Sequence, residues 1–466
     1  MNAHCRIKPD CPRWSPLSIE TLIAKYSANV PRYTSYPTAP HFHAGVGAET
    51  YRDWLAALDP SAPVSLYLHI PFCDRLCSYC GCHTSVVHRR SPVADYVDHL
   101  IFEILLVSEA IGASLPVTSV HLGGGTPNVL SPDDLDRLFG ALRQAFDFRP
   151  DVEIAAEIDP RILNQQWIDA ATRNGLNRAS LGVQDIDPKV QKAINRWQPW
   201  ALTLWAADAL REAGVRSINL DLMYGLPHQT VASLRKTIRR ALEVAPERVA
   251  LFGYAHVPWM KPNQRLIPEA ALPGPVERYL QQSAAAALLT DSGYRRIGLD
   301  HFALPDDALP AALARGELRR NFQGYTAEGA ETLLGFGASS IGRLPSGYVQ
   351  NLTKTPEWRS AIQAGRLATI RGVALTAEDR LRGEIIERLM CSFAADLDEI
   401  AARHGVGAGH FARELELLEP MFTDGLVVGD HGRMSLTETG RSFVRTICAV
   451  FDGYFASAAS RHSVAI

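Results

Sequence analysis

The sequence predicts an α/β protein built on a parallel sheet, and three observations carry that prediction. Six short apolar, β-branched runs recur: VSLYLHI (64–70), VTSVHL (117–122), VEIAAEI (152–158), RASLGV (178–183), SINLDLMYG (217–225) and RVALFGYAHV (248–257). Between them lie helix-like stretches such as YVDHLIFEILLVSEAIG (96–112), SPDDLDRLFGALRQAF (131–146) and QTVASLRKTIRRALEV (229–244). Residues able to do chemistry gather where the runs end. Strands alternating with helices imply parallel pairing through right-handed crossovers. Six such units fit an open doubly wound sheet or a partial barrel, short of the eight that close one. Either way, ligands collect at the C-terminal ends of the strands.

The elements follow in order. A chain of 466 residues exceeds one ordinary core, so two or three domains are expected. Hydrophobic residues at 47% and charged residues at 21% describe a globular protein, and a net charge of −3 offers no attraction for nucleic acid or a membrane surface. No apolar run is long enough to span a bilayer. The leader, MNAHCRIKPDCPRWSPL, lacks the apolar core of a secretion signal, so a cytoplasmic location is expected, where structural disulfides are rare. Cys5 and Cys11 in that leader, and Cys391 and Cys448 in apolar helical patterns, read as loose thiols or small buried hydrophobes.

The first strand runs directly into PFCDRLCSYCGCH (71–83), which holds four of the eight cysteines. GGGTP (123–127) follows the second strand, and Ser131 with Pro132 opens the next helix. Glu157 and Asp159 end the third strand, and Gln184 and Asp185 the fourth. Asp221 and Tyr224 lie on the fifth, and Ala255 and His256 end the sixth. Each taken alone has an ordinary explanation as a turn or a helix cap. Together they ring one rim.

Structural zinc takes two separated Cys-x₂₋₄-Cys knuckles that supply four closed ligands. Here Cys73, Cys77 and Cys80 form CxxxCxxC within one loop, and no second knuckle follows, although His83 and His88 are conceivable substitutes. Three thiolates on one loop suit three corners of a cubane iron–sulfur cluster, leaving one iron open.

CxxxCxxC after the first strand, with Tyr79 just before the last cysteine, resembles the radical S-adenosylmethionine superfamily. Within it, the chain is similar to the oxygen-independent coproporphyrinogen III oxidase (dehydrogenase) family. The resemblance spans PRYTSYPTAPHF (31–42), LYLHIPFCDRLCSYCGCH, HLGGGTP, EIDP, SLGVQD, INR, DLMYGLP, YAHVPWMKPNQR (254–265), GLDHFA (298–303), RNFQGYT (320–326) and the C-terminal tail. It implies a partial (β/α)6 radical-SAM barrel with an N-terminal extension and a smaller, mainly helical C-terminal domain. It also implies a [4Fe–4S] cluster on Cys73, Cys77 and Cys80, with S-adenosylmethionine on the fourth iron. The fourth cysteine of the family's CxxxCxxCxC, Cys82, is not a ligand but a pocket thiol; related haem-chaperone paralogues usually carry Phe there. The implied chemistry begins when the reduced cluster cleaves S-adenosylmethionine to a 5′-deoxyadenosyl radical. That radical takes hydrogen from a propionate β-carbon, and loss of CO2 and one electron leaves a vinyl group, on two of the four propionates of coproporphyrinogen III.

By the same resemblance, Tyr67 and Tyr79 pack beside the cofactor and Gly124, Gly125 and Thr126 line its methionine moiety. Glu157, Gln184, Arg196, Asp221 and Ala255 complete the pocket. Phe322, Gln323 and Ile341 match a second S-adenosylmethionine site, outside the first pocket. Catalytic roles are expected at Tyr67, Glu157 and Gln323. The propionates call for cations, and Arg32, Lys261, Arg265, Arg319 and Arg320 are the candidates.

Three domains are expected: an extension over 1–60 lying across the open side of the barrel, a catalytic barrel over 61–370, and a winged-helix-like domain over 371–466 with a hairpin at LVVGDHGRMSL. No basic recognition helix accompanies that last shape. A monomer served by a reducing donor such as flavodoxin, without nucleic-acid or membrane partners, completes the expectation. Three other classes remain: a haem-binding chaperone-like paralogue, a haem-degrading radical methyltransferase and a zinc-binding structural protein. Cys82 opposes the first, and intact RNFQGYT and PRYTSYPTAPHF oppose the second.

Overall fold

A computed structural model of the chain describes residues 17–407, 409–430 and 432–455. Cys5 and Cys11, with most of the leader, lie outside these residues. Six strands pair side by side in chain order, all parallel: β1 (Val64–Ile70), β2 (Pro116–Gly124), β3 (Asp147–Ile158), β4 (Arg178–Gln184), β5 (Ser217–Tyr224) and β6 (Arg248–Gly253). Helices Ser91–Ile111, Pro132–Ala145, Gln165–Arg173, Trp200–Glu212 and Val231–Ala241 lie between successive strands. Their starts are written locally. The Ser131 hydroxyl accepts from the Asp134 amide while the Asp134 carboxylate accepts from Ser131, and Thr230 with Ser233 repeats the device. Leu66, Leu68 and Ile70 of β1 are fully buried, each contributing about 1.5–3 kcal/mol of apolar burial.

The sheet is larger than the six strands. On the far side of β6 lie β7 (Arg295–Ile297) and β8 (His301–Ala303), antiparallel, with β8 against β6. On the other flank β9 (Thr332–Phe336) runs parallel to β1, followed by antiparallel β10 (Ile341–Leu344), β11 (Gly347–Asn351) and β12 (Thr369–Ala374). The order β12-β11-β10-β9-β1-β2-β3-β4-β5-β6-β8-β7 does not close on itself, an open barrel, and His43 bridges to Gly372 at its β12 edge. Two expectations change. β6 ends at Gly253, so Ala255 and His256 lie in the loop beyond it, where the Val257 amide turns to the Gln264 side chain at 2.6 Å instead of a ladder. The barrel sheet also continues through Ala374, past the expected boundary at 370.

Beyond it, helices Ala377–Ser392, Leu397–Arg403, Ala412–Thr423 and Val444–Phe451 pack with a small sheet of β13 (Ala394–Asp396), β14 (Val427–Gly429) and β15 (Arg433–Leu436). β14 and β15 form the expected hairpin, and β13 joins β15 as a third strand. The N-terminal extension does not simply cover the barrel. Leu22, Ile23, Tyr26, Val30, Tyr33 and Tyr36 enter the core of the C-terminal domain, where the apolar faces of its helices cover them. Helix Ala48–Ala56 instead packs its Tyr51 and Leu55 into the barrel core.

Candidate active site

The cysteine loop is an excursion pinned at its base. Phe72–Cys73 pairs with Ser85–Val86, and the Ser85 and Val87 amides donate to the Pro71 and Cys73 carbonyls at 3.0 Å each. Its outer arc is held from two other loops. Asn263 donates its side-chain amide to the carbonyls of Cys77, Ser78 and Cys80 at 3.2, 3.2 and 3.0 Å, and Gln264 reaches that of Tyr79 at 2.8 Å. Asn195, in the left-handed region at φ 54°, donates to the Leu76 carbonyl at 2.9 Å. These bonds bring Cys73, Cys77 and Cys80 to the wall of one cavity of about 610 Å³.

Each sulfur faces donors. Thr84 and Thr126 hydroxyls lie 3.1 and 3.4 Å from the Cys73 sulfur, and Arg161 and Arg196 lie 3.7 and 3.6 Å from that of Cys77. The Cys82 amide lies 3.4 Å from the Cys80 sulfur. The Cys82 thiol's hydrogen bond, with the charges of Lys261 and Arg196, draws the Cys80 thiol down to about 6 against burial. This donor set fits an anionic thiolate cluster. Among the described residues, no three His, Cys, Asp or Glu side chains are grouped for a single metal ion.

The GGG turn is demanded by crowding. A Cβ on Gly124, at φ 106°, would stand 2.6 Å from the His69 ring, and one on Gly125 would stand 2.5 Å from the Phe72 carbonyl oxygen. Glu157 accepts from the Gly124 amide at 3.1 Å and from His121 at 3.2 Å. Burial raises its carboxyl, but His121 and the amide outweigh burial and hold it below its ordinary range. Asp159 receives both Arg161, at 2.6 Å, and Arg196, at 3.3 Å, and is likewise held low despite burial. Asp221 differs. Burial and the Glu157 carboxylate push it up to about 6, although Asn219 and Ser180 donate to it at 2.7 and 3.1 Å.

The cavity brings together Cys73, Cys77, Cys80, Tyr79, Gly124, Gly125, Thr126, Glu157, Gln184, Arg196, Asp221, Ala255, Phe322 and Gln323. Phe322 and Gln323 were expected outside this pocket; the hairpin Arg319–Asn321/Gly324–Thr326 folds them into it. Gly324, at φ 126°, makes that turn beside His301. Tyr67 lies off the wall, its ring stacked with that of His121 and its hydroxyl 2.9 Å from His69. Ile341 also stands apart, among Phe42, Tyr348, Val373 and Phe322. Cys82 lines the cavity.

Sequence reading missed Asn263, Gln264, Asn195, Arg161, His69 and His121. KPNQR and INR were visible as motifs, but an amide that braces a distant loop carries no local signal. Of the cationic candidates, Arg32 lines the cavity and donates to the Gly253 carbonyl at 2.9 Å, while Lys261 donates to the Cys82 carbonyl at 3.1 Å. Among the described residues, three buried polar atoms of the cavity residues have no partner: Arg196 Nε, Asn219 Oδ1 and Gln323 Nε2. A cationic donor, a neutral acceptor and an amide donor are what a ligand with carboxylate, ammonium and hydroxyl groups would complete.

Residues 67–241 match the Radical SAM superfamily, and residues 375–443 match the HemN C-terminal domain. The chain is 50% identical over 437 residues to the oxygen-independent coproporphyrinogen III oxidase of Bradyrhizobium diazoefficiens, covering 94% of this chain and 97% of the relative. It is 44% identical over 441 residues to the Paracoccus denitrificans protein of the same name, covering 95% and 97%. Among solved structures, the coproporphyrinogen III oxidase (HemN) of Escherichia coli, a radical SAM enzyme, superposes with a TM-score of 0.88 at 38% identity. That match covers 95% of this chain and all of the other.

Proposed function

The chain belongs to the oxygen-independent coproporphyrinogen III oxidase family of radical SAM enzymes, and from that membership we propose how its cavity serves the family's reaction. The protein is an oxidoreductase of haem biosynthesis that uses a [4Fe–4S] cluster and S-adenosylmethionine. It oxidatively decarboxylates two propionate side chains of coproporphyrinogen III to vinyl groups, giving protoporphyrinogen IX. The observation that carries the site assignment is that three residues with an unpartnered buried polar atom line the same cavity as the three thiols.

Cys73, Cys77 and Cys80 hold the cluster, with the Thr84, Thr126, Arg161 and Arg196 donors stabilising thiolate charge. When bound, the reduced cluster supplies one electron to S-adenosylmethionine and so the hydrogen abstraction that begins decarboxylation. Arg196, with Nε free, takes the cofactor's carboxylate, and the Gly124–Thr126 turn lets backbone approach its methionine part. Glu157, held ionised by His121, accepts from its ammonium or hydroxyl groups; Asn219 and Asp221 supply further acceptors. Gln184 and Ala255 close the rim, Tyr79 packs behind the cysteines, and Tyr67 acts through His121 and His69. Phe322 and Gln323 face the same space and position substrate or a second S-adenosylmethionine, with Ile341 packing behind Phe322.

The function carries with it a reducing one-electron donor such as flavodoxin, a monomeric cytoplasmic protein, and no nucleic-acid or membrane partner. No described helix is long and apolar enough to cross a membrane. The domain division proposed is an extension over 1–60, a barrel over 61–374, moved from 370 so that β12 stays with the barrel sheet, and a C-terminal domain beyond it to 466.

The test is anaerobic turnover of coproporphyrinogen III beside the Gln323→Ala variant. Wild type is expected to form protoporphyrinogen, and the variant to keep its iron and bind one equivalent of S-adenosylmethionine while forming almost none. Wild-type turnover in the variant would remove Gln323 from the site.

A further inference from the structure

A second cleft, of about 310 Å³, opens between the barrel edge and the C-terminal domain. Arg319, Arg320, Arg343, Arg380, Arg388 and Arg403 reach its wall from the 319–326 hairpin, β10 and two helices of the C-terminal domain. Four of them are engaged. Arg319 pairs with Glu387 at 2.9 Å, Arg320 with Asp300 at 3.6 Å and Arg403 with Glu399 at 2.7 Å, while Arg388 donates to the Gly316 carbonyl. The guanidinium groups of Arg343 and Arg380 have no hydrogen-bond or ion-pair partner among the described residues. Of the acids on the wall, Glu384 and Glu387 are taken by arginines and Asp379 caps its own helix, which leaves Glu331 near Arg319. The cleft keeps a positive surplus.

Two further observations point this surplus at a ligand. Arg320, whose side chain is only 6% exposed and lies 4.6 Å over the Tyr325 ring, leaves its buried Nε without a hydrogen bond, while its Nη1 meets only Asp300 at 3.6 Å. The cleft also shares walls, through a small cavity between them, with the active site. Arg319, Arg320 and Arg343 wall both the cleft and this small cavity, and Phe322 walls that cavity and the main one. The main cavity, at about 610 Å³, has the size that serves a single drug-sized ligand. A cluster-bound cofactor and a whole tetrapyrrole must share it, so part of the tetrapyrrole's rim has to lie beyond.

We propose that this cleft is a second carboxylate-binding subsite for the porphyrinogen, in which Arg343 and Arg380 hold propionates that do not react. The proposal rests on the function given above. A guanidinium pairs a carboxylate through two parallel N–H donors, and two such groups would anchor one side of the macrocycle while the opposite side meets the cofactor.

The experiment is the Arg343→Gln/Arg380→Gln double variant, assayed anaerobically with coproporphyrinogen III and with the substrate whose two non-reacting propionates are methyl esters. Neither side chain has a bonded partner to lose, so iron content, cluster absorption and melting temperature should match wild type. The KM for the free acid is expected to rise about tenfold or more, the worth of charged hydrogen bonds at such a site. Wild type should lose the same factor on the ester, where the two proteins become equal. An unchanged KM for the free acid overturns the subsite, and so does a penalty of the same size on acid and ester. Wild-type protein that makes no protoporphyrinogen would overturn the function together with the subsite; an active wild type beside an unaltered variant overturns the subsite alone.

Discussion

At the scale of single residues, the four cysteines divide by what surrounds their sulfurs. All four line the cavity, but donors face the sulfurs of Cys73, Cys77 and Cys80, and Cys82 turns its own amide toward the Cys80 sulfur. Cys77→Ser is therefore expected to lose the visible absorption of the cluster, and Cys82→Ser to keep it; equal iron loss in both would assign Cys82 as a ligand. Asp221 makes a second case. A carboxyl raised to about 6 favours the fold only while it is protonated. Its contribution is complete below the unfolded value of about 3.9 and is lost as pH rises through about 6. The ligand-free Asp221→Asn protein should be more stable than wild type near neutral pH by on the order of 2–3 kcal/mol, and the gap should narrow as pH falls toward about 4. Denaturant melts across that range read it, and a gap independent of pH would show that Asp221 titrates normally.

Among the elements, the loops that grip the cysteine arc decide whether the thiols converge. Asn263 satisfies three carbonyls of that arc with one side chain. Its removal costs roughly 1 kcal/mol of net stabilisation per bond and leaves the Ser78 and Cys80 carbonyls without a donor, while that of Cys77 keeps the Cys80 amide at 3.2 Å. Asn263→Ala should fold, because the barrel core is untouched, yet retain less iron and be cut more readily by protease between residues 71 and 87. Full iron with unaltered cleavage would make the contact incidental.

For the molecule as a whole, the chain's first described helix belongs to its last domain. Lys25 pairs with Asp424 at 2.6 Å, the Tyr26 hydroxyl donates to the same carboxylate at 2.5 Å, and the Tyr33 hydroxyl donates to Asp452 at 3.1 Å. The intervening segment also brings Arg32 to the wall of the active cavity. Ile23→Ala opens a hole in the C-terminal core and is expected to cost about 2–5 kcal/mol there. Hydrogen exchange should quicken in helices Ala377–Ser392 and Val444–Phe451 while β1 to β6 stay protected. Equal loss throughout would mean that barrel and C-terminal domain unfold as one unit.

Local pattern was enough for the six parallel strands, the capped helices and the cysteine loop, because strand periodicity, helix caps and close thiol spacing are short-range signals. Asp221 was legible from its place on the fifth strand, and Arg196, in the turn after helix Pro188–Ala193, only through the family resemblance of INR. β9 to β12 escaped: they are four to six residues long, and β9 gains its parallel place beside β1 only when the sheet assembles. The entry of Phe322 and Gln323 into the main cavity, and the brace from Asn263, depend on loops far apart in the chain meeting in space. The division of the N-terminal extension has the same origin, since an amphipathic segment records that it must be buried but not against which core. The sequence determined which groups are present and which strand ends carry them. Only the tertiary structure decided which sulfur meets which donor and which arginines are left without an anion, because both follow from distances that close when every element has packed.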